Sequence, residues 1–294
     1  MTERVDSYLF GIDLDGTLLS PTGLIADRTR LAIRAILDAG HRVAFATGRN
    51  YTEASKIFDI VEHRDLVVLV SGALVVDAKS GKTVHRAAMD PILAGELCGA
   101  IERHGHAAVA YVDRHHMGFD YLVSEGRIVH EALSSWMSLS DQRLERRSEM
   151  ARQDHSHTLR VSTVLDVKAA AELKAAIMLE FGKRTYVHGV LVMSQGVEIV
   201  EMFDPHVNKW LGLKYVADFY GIAPDRIITF GDDQNDLPMI RHAAFGVAMG
   251  NARVEVKQIA KRVIGTNAED GLAVYLEQWL RDPEAAMSVA ATPE

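Results

Sequence analysis

Residues 8–19 read YLFGIDLDGTLL: an apolar run that stops on two aspartates one residue apart, Asp13 and Asp15, followed by Gly16. A short uninterrupted apolar run predicts a strand buried on both faces, as in a parallel sheet. Downstream, ADRTRLAIRAILDAG (26–40) has helical spacing, with Asp27 a candidate N-cap and Gly40 placed just past the end. RVAFA (42–46) gives a second buried strand stopping at Thr47, a polar helix follows from about Tyr51, and DLVVLV (65–70) gives a third strand ending at Ser71. Strands alternating with helices predict an α/β fold with a doubly wound parallel sheet.

The character of the chain then changes. LVVDAKSGKTVH (74–85) reads as a hairpin turning at Ser80 and Gly81, and helix 91–105 leads to strands 107–112 and 118–130, where Phe119, Tyr121 and Val123 alternate as on a one-sided antiparallel strand. TLRVSTVL (158–165), the Ala-rich helix 167–181, and strands LVMS (191–194) and VEIVEMF (197–203) complete a mixed set, read as an inserted α+β domain over 85–203. The parallel pattern resumes with helix 209–221, strand RIITF (226–230), loop GDDQND (231–236), helix 237–243, strand FGVAM (245–249), helix 252–261, strand RVIG (262–265) and helix 272–280. The first domain, 1–84 with 204–294, is therefore expected to be discontinuous. The closing AAMSVAATPE (285–294) lacks apolar periodicity and reads as a flexible tail.

The 294 residues suffice for one or two domains with a proper core. The single cysteine, Cys98, excludes an internal disulfide and falls in an amphipathic helix, where it serves as a small apolar residue rather than a nucleophile. No uncharged stretch reaches the length of a membrane span, so no membrane partner and a cytoplasmic location are expected. A formal net charge of −8, from 40 acidic against 32 basic residues, argues against nucleic acid as a partner. A monomer or small homo-oligomer is expected.

Ligands of an open parallel sheet bind outside the carboxyl ends of its strands. Four such ends are polar here, supplying Asp13 and Asp15; Thr47, Gly48 and Arg49; Ser71 and Gly72; and Asp232 to Asp236. Gathering these aspartates at one edge is costly, since like charges at ~4 Å repel by about 4 kcal/mol at an effective dielectric of ~20. A divalent cation resolves the conflict, and hard carboxylate and carbonyl oxygens suit Mg²⁺, with Asp13 and Asp232 as side-chain ligands. Asp13 can then attack phosphorus to form an aspartyl-phosphate, while Asp15, its pKa raised beside phosphate, protonates the leaving alcohol and deprotonates water. Gly16 lets the loop turn tightly. Charge on the transferred group calls for donors: the Thr47 hydroxyl, the Gly48 amide, and Lys209, which opens a helix after the break DPHVN (204–208).

DLDGTL, TGR, a helix-opening lysine and GDDQND occur in this order in the haloacid dehalogenase superfamily, which the chain resembles, specifically its Cof-like branch with a type IIB cap. The likeness continues through GVAMGNA (246–252) and EDGLA (269–273), while the inserted domain matches only in size and layout. The resemblance implies Asp13 as nucleophile, Asp15 as acid/base and backbone-carbonyl metal ligand, Asp232 as metal ligand, and phosphate contacts from the Leu14 amide, Thr47, Gly48, Lys209 and Asn235. Arg49, Ser71 and Gly72 are further candidates for substrate contact, Arg49 having a structural ion pair as its alternative. Asp233 and Asp236 would stand behind the ligands and position Lys209 or the metal waters. Two departures stand out: Ser71 where the branch commonly has Asn, and Trp210 where a glycine follows the lysine.

His104, His106, His115 and His116 could hold a second metal or touch substrate, or serve as a helix cap and an exposed turn. The expected activity is Mg²⁺-dependent hydrolysis of small phosphorylated metabolites, sugar phosphates foremost. The alternative is a phosphotransferase of the phosphomannomutase type, sharing the Asp13 intermediate. A binding protein that had lost catalysis would have lost one of these carboxylates, and none is missing.

Overall fold

The computed structural model describes residues 7–114, 117–127, 129–139 and 143–288. The chain divides into two compact units, Met1–Arg86 with Asn208–Glu294, and Ala87–Val207, where the sequence reading put the boundaries at 84 and 203.

The first unit opens with β1 (Leu9–Ile12), α1 (Asp27–Asp38), β2 (Arg42–Phe45), α2 (Tyr51–Ile60), β3 (Leu66–Leu69), β4 (Leu74–Asp77) and β5 (Thr83–Arg86). The second contains α3 (Pro91–Arg103), β6 (Val109–Val112), β7 (Tyr121–Ser124), α4 (Glu131–Leu139), β8 (Leu144–Arg147), β9 (Thr158–Asp166), α5 (Val167–Phe181), β10 (Tyr186–Val192) and β11 (Val197–Phe203). The first unit resumes with α6 (Lys209–Tyr220), β12 (Ile227–Gly231), α7 (Leu237–His242), β13 (Phe245–Ala248), α8 (Val254–Ile259), β14 (Arg262–Val263), α9 (Gly271–Arg281) and α10 (Pro283–Met287).

Five parallel strands run in the order β14-β13-β12-β1-β2. Every residue of β1, β12 and β13 is buried, which is why these strands are apolar without alternation. β1 sits between β12 and β2, pairing Ile12 with Phe230 on one side and Phe45 on the other. The connections leave in opposite directions here, so the crevice that such sheets offer to ligands opens just beyond Ile12 and Gly231.

β3 departs from the expected parallel order. A single bridge, Ala46 to Val68, joins it in parallel to the end of β2, while its full ladder is antiparallel with β4, itself paired with β5 across the foreseen hairpin. Asp27 does not cap α1; Ala26 occupies that position and Asp27 lies in the first turn, where its charge complements the helix dipole. Asp282 caps α10, which extends into the stretch read as a tail: Ala286 is fully buried and its carbonyl accepts the Tyr275 hydroxyl.

Behind the sheet, the Trp279 ring meets Tyr8, Phe10 and His41 edge-on at centroid distances of 5.1, 4.9 and 4.9 Å. On the other flank, His63 is buried between Phe45 and Phe58, its Nε2 3.4 Å from the Leu66 carbonyl and its Nδ1 without a hydrogen-bond partner.

The second unit is a six-stranded sheet, β10-β11-β9-β6-β7-β8, antiparallel except where β7 meets β8. Helices α3 and α5 supply the apolar layer on one side of it, and Cys98 is fully buried there, its thiol pushed far up by burial and then by the charge of Glu102. That environment excludes a nucleophilic role for Cys98. β7 is buried on both faces rather than one, and Phe119 precedes it, packed on the helical layer. β10 begins five residues before the predicted LVMS, because an exposed strand interrupted by Gly189 carries no apolar period. The sequence reading did not foresee α4 or β8. His104 caps α3, its Nδ1 2.8 Å from the Ala100 carbonyl; His115 and His116 lie outside the described residues. Among the described residues no helix is long and apolar enough to cross a membrane.

Burial lowers the His63 pKa below its ordinary value, so the unfolded chain takes up this proton first. The contribution of His63 to stability is therefore full above about pH 6.5 and lost as pH falls below it. Between pH 7.5 and 5, the wild-type chain is expected to lose more unfolding free energy in urea titrations than His63→Phe; equal losses would contradict this reading.

Candidate active site

The crevice beyond β1 and β12 gathers the predicted carboxylates around one lysine. Asn208 caps α6, accepting the Leu211 amide with its side chain, and Lys209 follows as the first helical residue, 1% exposed. Its Nζ donates to Asp13 Oδ1 at 2.5 Å, Asp236 Oδ1 at 2.6 Å and Asn235 Oδ1 at 3.3 Å, one acceptor for each ammonium hydrogen. Asp13, on the first residue past β1, is 4% exposed, and its amide donates to the Phe230 carbonyl, which locks it to β12.

One carboxylate oxygen from each of Asp13, Asp232 and Asp236 lies within 4.8 Å of the others. Three carboxylates share the neighbourhood of one ammonium. Burial, followed by the charge of Asp236, pushes Asp13 well above the usual carboxylate range, with Lys209 opposing. The same two causes, in the same order, push Asp232 up to about 7. Burial alone would lower the lysine, but Asp13 and Asp236 outweigh it and hold Lys209 above its ordinary value. A set of hard oxygens that retains protons when left to itself fits a divalent cation.

Asp236 is already committed. Its Oδ1 takes Lys209 and its Oδ2 accepts the amides of Asp232 at 2.9 Å and Asp233 at 3.0 Å, so it orients the lysine and the loop from behind. Asp233 starts the short 3-10 turn at Gln234 and pairs with Arg253. Thr17, which the sequence reading passed over, donates its hydroxyl to Asp232 Oδ1 at 2.9 Å. Gly16 has φ +84, and a Cβ there would stand 2.2 Å from Asp232 Oδ2. Only glycine can occupy that position.

Asp15 lies apart from the triad, its side chain 57% exposed, in a bidentate pair with Arg49 at 2.8 and 2.6 Å. Thr47 is buried, and its hydroxyl accepts the Arg49 amide at 3.1 Å. A Cβ on Gly48 would lie 3.4 Å from Ser71 Oγ and 3.9 Å from Asn235 Nδ2, so these three positions converge. Ser71 is held in the left-handed region, φ 53. At Gly72 a Cβ would fall 2.0 Å from the Asn208 carbonyl, so the glycine seats the start of α6 and thereby Lys209. The Leu14 side chain is fully buried, while its carbonyl accepts the amides of Thr17 and Leu19. Trp210 lies near His242 with centroids 6.1 Å apart.

A family model described as haloacid dehalogenase-like hydrolase matches residues 10–276. The chain belongs to this family. It is 30% identical to a 5-amino-6-(5-phospho-D-ribitylamino)uracil phosphatase of Bacillus subtilis over 277 residues, 92% of this chain and 97% of that one. A putative phosphatase of Haemophilus influenzae is 25% identical over 267 residues, 90% of this chain and 95% of its own. A solved structure from Thermotoga maritima superposes with a TM-score of 0.76 at 24% identity, covering 92% of this chain and 97% of that chain. A haloacid dehalogenase subclass IIB sugar phosphatase shares the fold at a TM-score of 0.72 and 20% identity, covering 93% and 99% of the two chains. Family and relatives place this hydrolase among the phosphoric monoester hydrolases.

Removing the buried ammonium strands two buried carboxylates. Lys209→Met is expected to cost about 3 to 5 kcal/mol of unfolding free energy in urea titrations. The double variant Lys209→Met/Asp236→Asn is expected to recover part of that loss; no cost for the single variant would contradict the arrangement.

Proposed function

We propose that the chain is a Mg²⁺-dependent phosphatase of small phosphorylated metabolites, acting through an aspartyl-phosphate on Asp13. The observation that carries the reading is the convergence of Asp13, Asp232 and Asp236 on Lys209 at the strand ends. Asp13 and Asp232, with the Asp15 carbonyl, would hold the cation, and Asp236 would act from outside that set because both its oxygens are taken. When bound, Mg²⁺ cancels charge between the carboxylates and the substrate phosphate.

Asp13 attacks phosphorus as the bond to the leaving oxygen breaks, and Asp15 gives that oxygen its proton. Asp15 then takes a proton from water as the water attacks phosphorus and frees Asp13. Lys209 and Asn235, the Thr47 hydroxyl and the amides of Leu14 and Gly48 stabilise charge on the peripheral oxygens. Arg49 is forked onto Asp15, and carboxylate and phosphate are alternative bidentate partners of a guanidinium. Exchange of one for the other would bring Arg49 to the substrate and release Asp15 to transfer protons. Ser71, beside Gly48 and Asn235, would touch the substrate.

Sugar or sugar-alcohol phosphates are the favoured substrate class. Support comes from the Bacillus subtilis relative, whose named substrate carries its phosphate on a ribityl chain. Purified protein is expected to release phosphate from an aryl phosphate with Mg²⁺ and to stop in EDTA. Asp13→Asn should abolish turnover, and Asp15→Asn should cut it by about 10²-fold or more. Full turnover by Asp13→Asn would overturn the mechanism, while a screen in which phosphorylated sugars and polyols rank below other phosphate esters would overturn the substrate class.

A further inference from the structure

The segment GVAMGNA has no part in the chemistry above, yet it touches both aspartate loops. Where β13 ends, the Met249 amide donates to the Gly231 carbonyl at 3.1 Å and the Arg253 amide to the Asp232 carbonyl at 2.9 Å. Between them, Asn251 Nδ2 donates to the Gly16 carbonyl at 2.8 Å, 235 residues away in sequence. Asn251 is in turn held by its other atom, since Oδ1 accepts the Asn267 amide at 3.0 Å. The Asn267 side chain donates to the Leu19 carbonyl at 2.7 Å, the far end of the same catalytic loop.

Asn251 is exposed, so burial does not explain its presence. What it grips is informative. Gly16 has the widest conformational freedom in the loop and is pressed against the Asp232 carboxylate. Such a residue does not fix its own neighbours. A donor on its carbonyl does, and on one side that fixes the direction of the Asp15 carbonyl, on the other the Thr17 hydroxyl that reaches Asp232.

We infer that Asn251 is a positioning residue: it sets the Asp15–Gly16–Thr17 backbone against the Asp232 loop, with Asn267 steadying both Asn251 and the end of the loop. The inference rests on the Mg²⁺-dependent reading above and extends it to residues that touch neither substrate nor cation. Loss of such an outer partner lowers metal affinity or activity by about 10- to 100-fold.

The test is calorimetric titration of the wild-type chain, Asn251→Ala and Asn267→Ala with Mg²⁺ alone. Asn251→Ala is expected to melt within a few degrees of the wild type and to bind Mg²⁺ about tenfold more weakly. Its kcat on an aryl phosphate should fall by at least that factor while KM changes by less than about twofold. Asn267→Ala, which loses the side-chain bond to Leu19 while its amide still holds Asn251, should shift Mg²⁺ binding in the same direction by about threefold, and Asn251→Ser, too short to reach the Gly16 carbonyl, decides the matter should Asn251→Ala fail to fold. Wild-type Mg²⁺ affinity in a folded Asn251→Ala would overturn the positioning role. A wild-type chain that gives no Mg²⁺ binding would instead overturn the reading it rests on, and the inference with it.

Discussion

The buried ammonium of Lys209 is the constraint on which the site depends. Three carboxylates cannot share a low-dielectric crevice unless something positive is built in, and the lysine is 1% exposed with an acceptor for each of its hydrogens. Much of the local architecture serves its placement. Asn208 caps the helix that presents it, and Gly72 lets the loop after β3 close onto that helix start. Asp236 spends both oxygens holding the lysine and the Asp232 loop in register. One fixed positive charge does not balance the set, and this deficit suits a divalent cation and a phosphate arriving together.

The division of labour proposed for the first two aspartates follows from their surroundings. Asp13 sits just past the end of a central strand, nearly buried and tied through its amide to β12. Such a residue is rigid and suits in-line attack. Two positions on, Asp15 lies beyond the strand, is half exposed, and its carboxylate is held by Arg49. A group that must exchange protons with an alcohol and with water belongs where water reaches it. One intervening leucine, buried to anchor the turn, separates the two environments.

Much of this was legible in the sequence, because the residues of the parallel sheet are buried on both faces and read as plain apolar runs ending in polar loops. β1, β2, β12 and β13 were found that way, along with the aspartates and Thr47 at their ends, and Lys209 as the residue that opens α6. β10, half exposed and broken by glycine, left no such trace. The antiparallel ladder of β3 with β4, which leaves a single parallel bridge from Val68 to Ala46, is encoded by no local pattern. The pairing of Arg49 with Asp15, the bond from Thr17 to Asp232 and the grip of Asn251 on Gly16 all join segments far apart in sequence. Their identities were in view, within TGR, DLDGTL and GNA, but their partners were not.

The central proposal is a covalent bond between phosphorus and Asp13. An aryl phosphate has a leaving group good enough to depart without an acid, whereas in the proposed mechanism release from the aspartyl-phosphate still needs Asp15 to activate water. Asp15→Asn, quenched in acid during turnover of an aryl phosphate with Mg²⁺ and digested at low pH for peptide mass spectrometry, should carry a phosphoryl group on Asp13. A phosphoryl group on any other residue, or an unmodified Asp13 while phenol is released in a burst, would contradict the account.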